Sequence, residues 1–180
     1  MRELALGGIR SGKSKWAETA IARAAGADGS VRYVATGAVS DDSEWVTRVA
    51  VHRQRRPDRW SIIESADVAT HLLADPDAAT MVDDMGGWLV AAMDRCDAWS
   101  GAAEPPGLGA DVDRLVDAVS AFRGPLALVS PEVGLTVVPA TESGRRFADA
   151  LGTLNQRLAA VCDRVVLVIA GQPLTVKETT

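Results

Sequence analysis

Gly7-Gly8-Ile9-Arg10-Ser11-Gly12-Lys13-Ser14 matches the pattern G-x-x-x-x-G-K-[ST]. Arg2 to Leu6, just before it, reads as a short strand. Lys15-Trp16-Ala17-Glu18-Thr19-Ala20-Ile21-Ala22, just after it, reads as the start of a helix. The pattern has mechanical meaning in that setting. Glycines let the backbone turn until successive N–H groups converge on one phosphate chain. The helix N-terminus adds the positive end of its dipole. Lys13 then reaches the β- and γ-phosphates, and Ser14 holds Mg2+. The stretch implies a bound nucleoside triphosphate.

Outward from the loop, strand and helix signals alternate. Strands are expected at Arg2–Leu6, Val31–Ala35, Thr80–Asp83, Leu126–Ser130 and Arg164–Ala170, with a terminal strand at Leu174–Val176. Several are continuous apolar runs, the mark of strands covered on both faces. Helices are expected at Ser14–Ala25, Asp42–Arg55, Ala66–Ala74, Gly87–Asp97, Ala110–Phe122 and Gly144–Val161. The order predicts an α/β, P-loop NTPase-like (RecA-like) fold, with a mostly parallel sheet and helices on both faces. Residues 1–180 read as a single nucleotide-binding catalytic domain. Ser100–Gly109, rich in Gly, Pro and Ala, reads as a surface loop within it. Ligands of such sheets sit beyond the C-terminal strand ends. That edge carries the phosphate loop, Thr36-Gly37, Asp83-Asp84 and Ser130-Pro131-Glu132.

Composition narrows the function. A formal charge of −5 and a pI near 5.0 argue against nucleic acid, which demands a basic face. No apolar run reaches the length of a membrane span. The first strand begins within a few residues of Met1 without a signal-peptide pattern, which predicts a cytoplasmic protein. Cys96 and Cys162 form no C-x-x-C and read as structural thiols. Two histidines without a Cys/His cluster make no zinc site.

Asp83 follows the apolar pair Met81-Val82, at the strand end where a P-loop protein places its magnesium-orienting acid. Asp84, next door, stays open on sequence alone, as does the reading of Asp83 as a solvated turn carboxylate. Trp45, Val49, His52 and Arg56 share one stripe of the Asp42–Arg55 helix and its exit. Arg48, Arg53, Arg55, Arg56 and Arg59 surround His52 with positive charge, which favours the neutral, nucleophilic imidazole. The arginines suit a polyphosphate. A half-buried histidine on the edge of a basic helix explains the same pattern. Glu64, after Ile62-Ile63, is a strand-end acid that either reads a base or ribose or faces water; Glu132-Val133-Gly134 is a similar loop. His71 has nothing converging on it. On the last helix Phe147, Leu151, Leu154 and Leu158 form the core stripe, with Asn155 and Gln156 off it. Asn155 is the sole asparagine, so no N-K-x-D guanine motif exists.

Several stretches match one family together. They are Gly7–Ser14 with Ala17-Glu18; Tyr33-Val34-Ala35-Thr36; Asp42 and Glu44; Arg48; His52-Arg53 with Arg56-Pro57 and Trp60; Glu132-Val133-Gly134 with Val138-Pro139; and Arg146-Phe147, Asp149, Gly152 and Asn155-Gln156. In this order, spanning Leu4 to Lys177, the chain resembles the bifunctional adenosylcobinamide kinase / adenosylcobinamide-phosphate guanylyltransferase family of cobalamin biosynthesis. The resemblance implies phosphorylation of adenosylcobinamide from GTP or ATP. It further implies transfer of GMP from GTP to adenosylcobinamide phosphate through a guanylyl-histidine. His52 is then the nucleophile and, with Lys13, catalytic. Thr36, Gly37, Ala38, Arg53, Gln54, Arg55, Arg56, Glu64 and Asp83 join the phosphate loop in nucleotide binding, with Ser14 and Asp83 toward the metal. It implies a homo-oligomer, with a trimer as the expected form and sites between subunits. Two positions depart from the family pattern: Pro131 stands where Asn is usual, and Gly86 where Thr is common. The competing readings are a P-loop kinase of another small alcohol without a covalent histidine, and a nucleotide-binding regulatory module.

Overall fold

Alternation along the strands sorts the side chains onto two faces. Leu4, Val34, Val82, Leu126 and Leu128 belong to one buried cluster, and their sequence neighbours Ala5, Tyr33, Met81, Ala127 and Val129 to another. That is the period-two pattern of strands buried on both sides. The computed structural model describes residues 1–37, 57–100 and 106–179. Its elements are β1 (Arg2–Gly7), α1 (Lys13–Ala25), β2 (Arg32–Ala35), β3 (Ser61–Glu64), α2 (Val68–Ala74), β4 (Thr80–Asp83), α3 (Met85–Arg95), α4 (Pro106–Ala121), β5 (Leu126–Pro131), α5 (Glu142–Val161), β6 (Arg164–Ile169) and β7 (Gln172–Glu178). The sheet order is β3-β2-β4-β5-β1-β6-β7. Every neighbouring pair is parallel except β6 and β7.

Helices cover both faces, as the alternating pattern predicts. Ala17 and Ile21 of α1 pack on the side of the small residues Ala5 and Ala127. Residues of α2, α3, α4 and α5 fill the opposite, larger cluster, among them Leu72, Trp88, Leu115 and Leu154. The loop after β1, Thr36 after β2, Asp83 of β4 and Pro131 of β5 all lie at the C-terminal ends of parallel strands, the edge where such sheets take their ligands.

The boundaries depart from expectation in instructive places. α3 starts at Met85, two residues before Gly87, because the Asp84 carboxylate accepts the Gly87 N–H at 2.8 Å and caps the helix. Pro106 to Gly109, expected in a loop, belong to α4; proline suits a first helical turn, where its missing N–H costs nothing. Residues 101–105 and the predicted helix Asp42–Arg55 lie outside the described residues. β3 is an additional strand. Ala170 leaves β6 for a turn, and β7 is longer than Leu174–Val176.

Long-range polar ties hold the termini. The Lys177 ammonium on β7 donates to the carbonyls of Ala159, Ala160 and Cys162 at 2.8, 3.1 and 2.7 Å, capping α5. Burial pushes the Cys162 thiol up to about 12, so it stays protonated and inert. Arg2 binds Asp163 through its backbone N–H at 2.7 Å and its guanidinium at 2.7 Å. These hydrogen bonds hold the Asp163 carboxyl below its ordinary value. Its contribution is therefore present above about pH 4 and is lost as pH falls through the lowered folded value. Asp163→Asn is expected to cost under about 1 kcal/mol at neutral pH, because the pair is half-exposed and screened. It should also flatten the acid limb of the stability curve below about pH 4. Urea titrations at pH 7 and pH 3 check both.

Candidate active site

The phosphate loop bridges the end of β1 and the start of α1. Gly12 is the N-cap of α1 at φ +94°, a left-handed conformation that costs glycine nothing. Ile9 and Arg10 form an exposed crest. The Lys13 ammonium lies across the loop, donating to the Gly8 carbonyl at 3.3 Å. The Lys13 N–H meets the Ser11 hydroxyl at 3.4 Å.

β4 delivers the acid. The Ser14 hydroxyl donates to Asp83 Oδ1 at 3.4 Å, and the buried Tyr33 hydroxyl donates to Asp83 Oδ2 at 2.8 Å. Asp84 faces elsewhere, capping α3. The structure thus gives the two adjacent carboxylates different partners. A serine hydroxyl and a carboxylate are the hard oxygen donors that Mg2+ takes, one or two from protein and the rest from phosphate and water. Among the described residues no three His, Cys, Asp or Glu cluster as a metal cage. The donor set suits a phosphate-bound magnesium.

The other predicted residues divide. Thr36 is buried, its N–H donating to the Asp83 carbonyl at 3.2 Å and its hydroxyl to the Asp84 carbonyl. Gly37 lies against Gly87, at the α3 N-terminus. Glu64 ends β3, on the same edge but four strand spacings from β1, about 19 Å away. The fold does not bring Glu64 to the phosphate loop. Ala38, His52, Arg53, Gln54, Arg55 and Arg56 lie outside the described residues. The Glu132 carboxylate turns into its own loop, accepting the Gly134 N–H at 2.5 Å. Its backbone N–H is tied to Gly7 O at 3.1 Å.

Asn155 corrects the helical-stripe reading. It is buried, not off the core face. Its amide oxygen accepts from the Ser130 hydroxyl at 2.6 Å, and its amide nitrogen donates to the Pro131 carbonyl at 3.0 Å. Pro131 pairs in register with Gly7, so Asn155 holds the strand end beside the phosphate loop. Asn155→Ala leaves a buried hydroxyl and carbonyl without that partner, an expected cost of about 2–3 kcal/mol. In a chain of this size the melting temperature should fall by roughly 4–12 °C; differential scanning calorimetry checks it. The two departures from the family pattern also meet here. A Cβ on Gly86 would lie 3.0 Å from Pro131 Cγ, so the ring occupies the space that a side chain at 86 needs.

No helix among the described residues is long and apolar enough to cross a membrane. The family model described as cobinamide kinase / cobinamide phosphate guanyltransferase matches residues 3–176. The bifunctional adenosylcobalamin biosynthesis protein CobP of Pseudomonas aeruginosa is 38% identical over 180 residues, covering 98% of each chain. The bifunctional adenosylcobalamin biosynthesis proteins CobU of Salmonella typhimurium and Escherichia coli are 35% and 32% identical, covering 98% of this chain and 100% of theirs. A solved structure, the P4 protein of bacteriophage phi6 with ADP, aligns with 99% of this chain and 54% of its own at 16% identity. Its TM-score of 0.45 marks a likeness too slight to argue from. With a phosphate loop set against a strand-end acid and a family match spanning both, the chain belongs to the cobinamide kinase / cobinamide phosphate guanyltransferase family and is a bifunctional enzyme of its chemistry.

Proposed function

We propose that the phosphate loop serves both half-reactions and that His52 is the covalent carrier of GMP. The observation that best supports the nucleotide half is the approach of Ser14 to Asp83 at the loop exit. In the kinase step, with GTP or ATP as donor, the aminopropanol hydroxyl of adenosylcobinamide attacks the γ-phosphorus and the bond to the β-phosphate oxygen breaks. Lys13 and the loop N–H groups stabilise the charge that develops on the departing diphosphate. Mg2+ held by Ser14 and Asp83 would supply further charge neutralisation.

In the second step the neutral His52 imidazole attacks the α-phosphorus of GTP. Pyrophosphate leaves, and a phosphoramidate forms. A phosphate oxygen of adenosylcobinamide phosphate then attacks that phosphorus, the P–N bond breaks, and adenosyl-GDP-cobinamide is released. Arg53, Gln54, Arg55 and Arg56 hold the polyphosphate, and Thr36, Gly37 and Ala38 complete the nucleotide wall. Glu64, remote from the phosphates, serves the base or ribose. The working form is a cytoplasmic homo-oligomer, a trimer with sites between subunits.

Incubation of the enzyme with α-labelled GTP, followed by denaturation, tests the covalent step. The expected product is protein-bound label, stable to base and labile to acid. Absence of protein-bound label overturns the histidine intermediate.

A further inference from the structure

The C-terminal hairpin reaches the phosphate loop from the side opposite Asp83. Ile169 of β6 pairs with Gln172 of β7, leaving Ala170 and Gly171 as a two-residue turn. Both have positive φ, +51° and +78°, as a tight hairpin turn of this type requires. The turn abuts the loop directly. The Gly171 N–H donates to the Ser11 carbonyl at 2.7 Å. A Cβ on Gly12 would lie 3.2 Å from Gly171 Cα, and one on Gly7 would lie 2.7 Å from the Val168 carbonyl of β6. The first and last glycines of the loop are therefore seated on the end of β6 and its turn.

The Gly171–Ser11 bond has a directional consequence. A peptide unit is planar and trans, so its C=O and N–H point in opposite directions. Fastening the Ser11 carbonyl to Gly171 turns the Gly12 N–H away from the hairpin, toward the concavity of the loop. That N–H is one of those a phosphate needs. We infer that the β6–β7 turn is a brace for the phosphate loop, with Gly171 as a positioning residue that aims the Gly12 N–H at bound phosphate. The inference rests on the nucleotide reading of the loop. It adds a residue that makes no contact with the reacting atoms and lies more than 150 positions further along the chain.

The test separates backbone conformation from bulk. A Cβ on Gly171 meets nothing within 4 Å, so a side chain there has room, and only the positive φ is demanding. Asparagine tolerates that conformation and valine does not. Binding of inorganic tripolyphosphate and of GTP is measured by calorimetry for wild type, Gly171→Asn and Gly171→Val, with thermal melting as the check on folding. Gly171→Val is expected to bind both ligands at least about tenfold more weakly, since backbone strain of this kind is large enough to displace the turn. Gly171→Asn should stay within about threefold of wild type. Should Gly171→Val fail to fold, Gly171→Ala, which meets only the backbone penalty, is read in its place and should show a smaller loss. Wild-type affinity in a folded Val or Ala variant overturns the brace, as does an Asn variant as weak as the Val variant. If wild type binds neither tripolyphosphate nor GTP, the nucleotide reading falls and the brace falls with it.

Discussion

The His52→Ala enzyme is expected to phosphorylate adenosylcobinamide and to transfer no GMP. Removing a nucleophile abolishes the only route that passes through the phosphoramidate, and losses of this kind are very large. The guanylyl transfer rate should fall at least about 10⁴-fold. The kinase step sends the γ-phosphate directly to a hydroxyl and needs no imidazole, so it should persist within a small factor. Parallel assays with α- and γ-labelled GTP read the two steps on the same preparation. The α-label should be missing from the denatured protein, while the γ-label still appears in cobinamide phosphate. Retained protein-bound α-label would place the covalent carrier at another residue. Equal loss of both activities would give His52 a role in forming the site as a whole.

Lys13→Ala should disable both steps together. The Lys13 ammonium is the charge placed over the loop, and loss of one such stabilising group typically costs about 10²–10³-fold in rate. On the proposed mechanism both half-reactions draw on it, because each expels a phosphate group into the same cradle. The side chain belongs to neither core cluster, and its hydrogen bond to Gly8 O is exposed. Its removal should therefore leave the melting temperature nearly unchanged. Steady-state assays of each half-reaction, with calorimetric GTP titration, check the prediction. An unfolded variant, or one with normal rates, shows that the loop has been misassigned.

The phosphate loop was legible because its signal is local: eight consecutive residues between a strand and a helix specify it without reference to the rest of the chain. The parallel sheet was legible because its strands are apolar on both faces. The strand end favoured Asp83 but left Asp84 open, since a boundary read from a short apolar run is uncertain by a residue; the capping bond to Gly87 and the approach of Ser14 divide them. β3 was missing from the expected strands, although Glu64 reads as a strand-end acid, because Ser61-Ile62-Ile63-Glu64 is short and sits at an exposed sheet edge, with only Ile62-Ile63 to announce it. Asn155 escaped because a helical stripe marks the centre of a buried face and not its margin, where polar residues meet strand ends. The hairpin turn's approach to the loop is a matter of strand order, which local pattern does not encode. The assignment of His52 drew on the family resemblance, since composition and residue spacing by themselves favour a structural histidine.

β1, the strand that launches the phosphate loop, lies between β5 and β6. Arg2 pairs with Leu126, and Glu3 pairs with Arg164. Synthesis runs the other way: the ribosome makes β1 first and its two neighbours more than a hundred residues later. Pairings this distant in sequence are slow to form, because the intervening chain must lose its freedom before the contacts reward it. During translation the opening strand therefore waits without its sheet partners. The phosphate loop, though made before either strand that flanks β1, gains its full support only once both β5 and β6 have emerged.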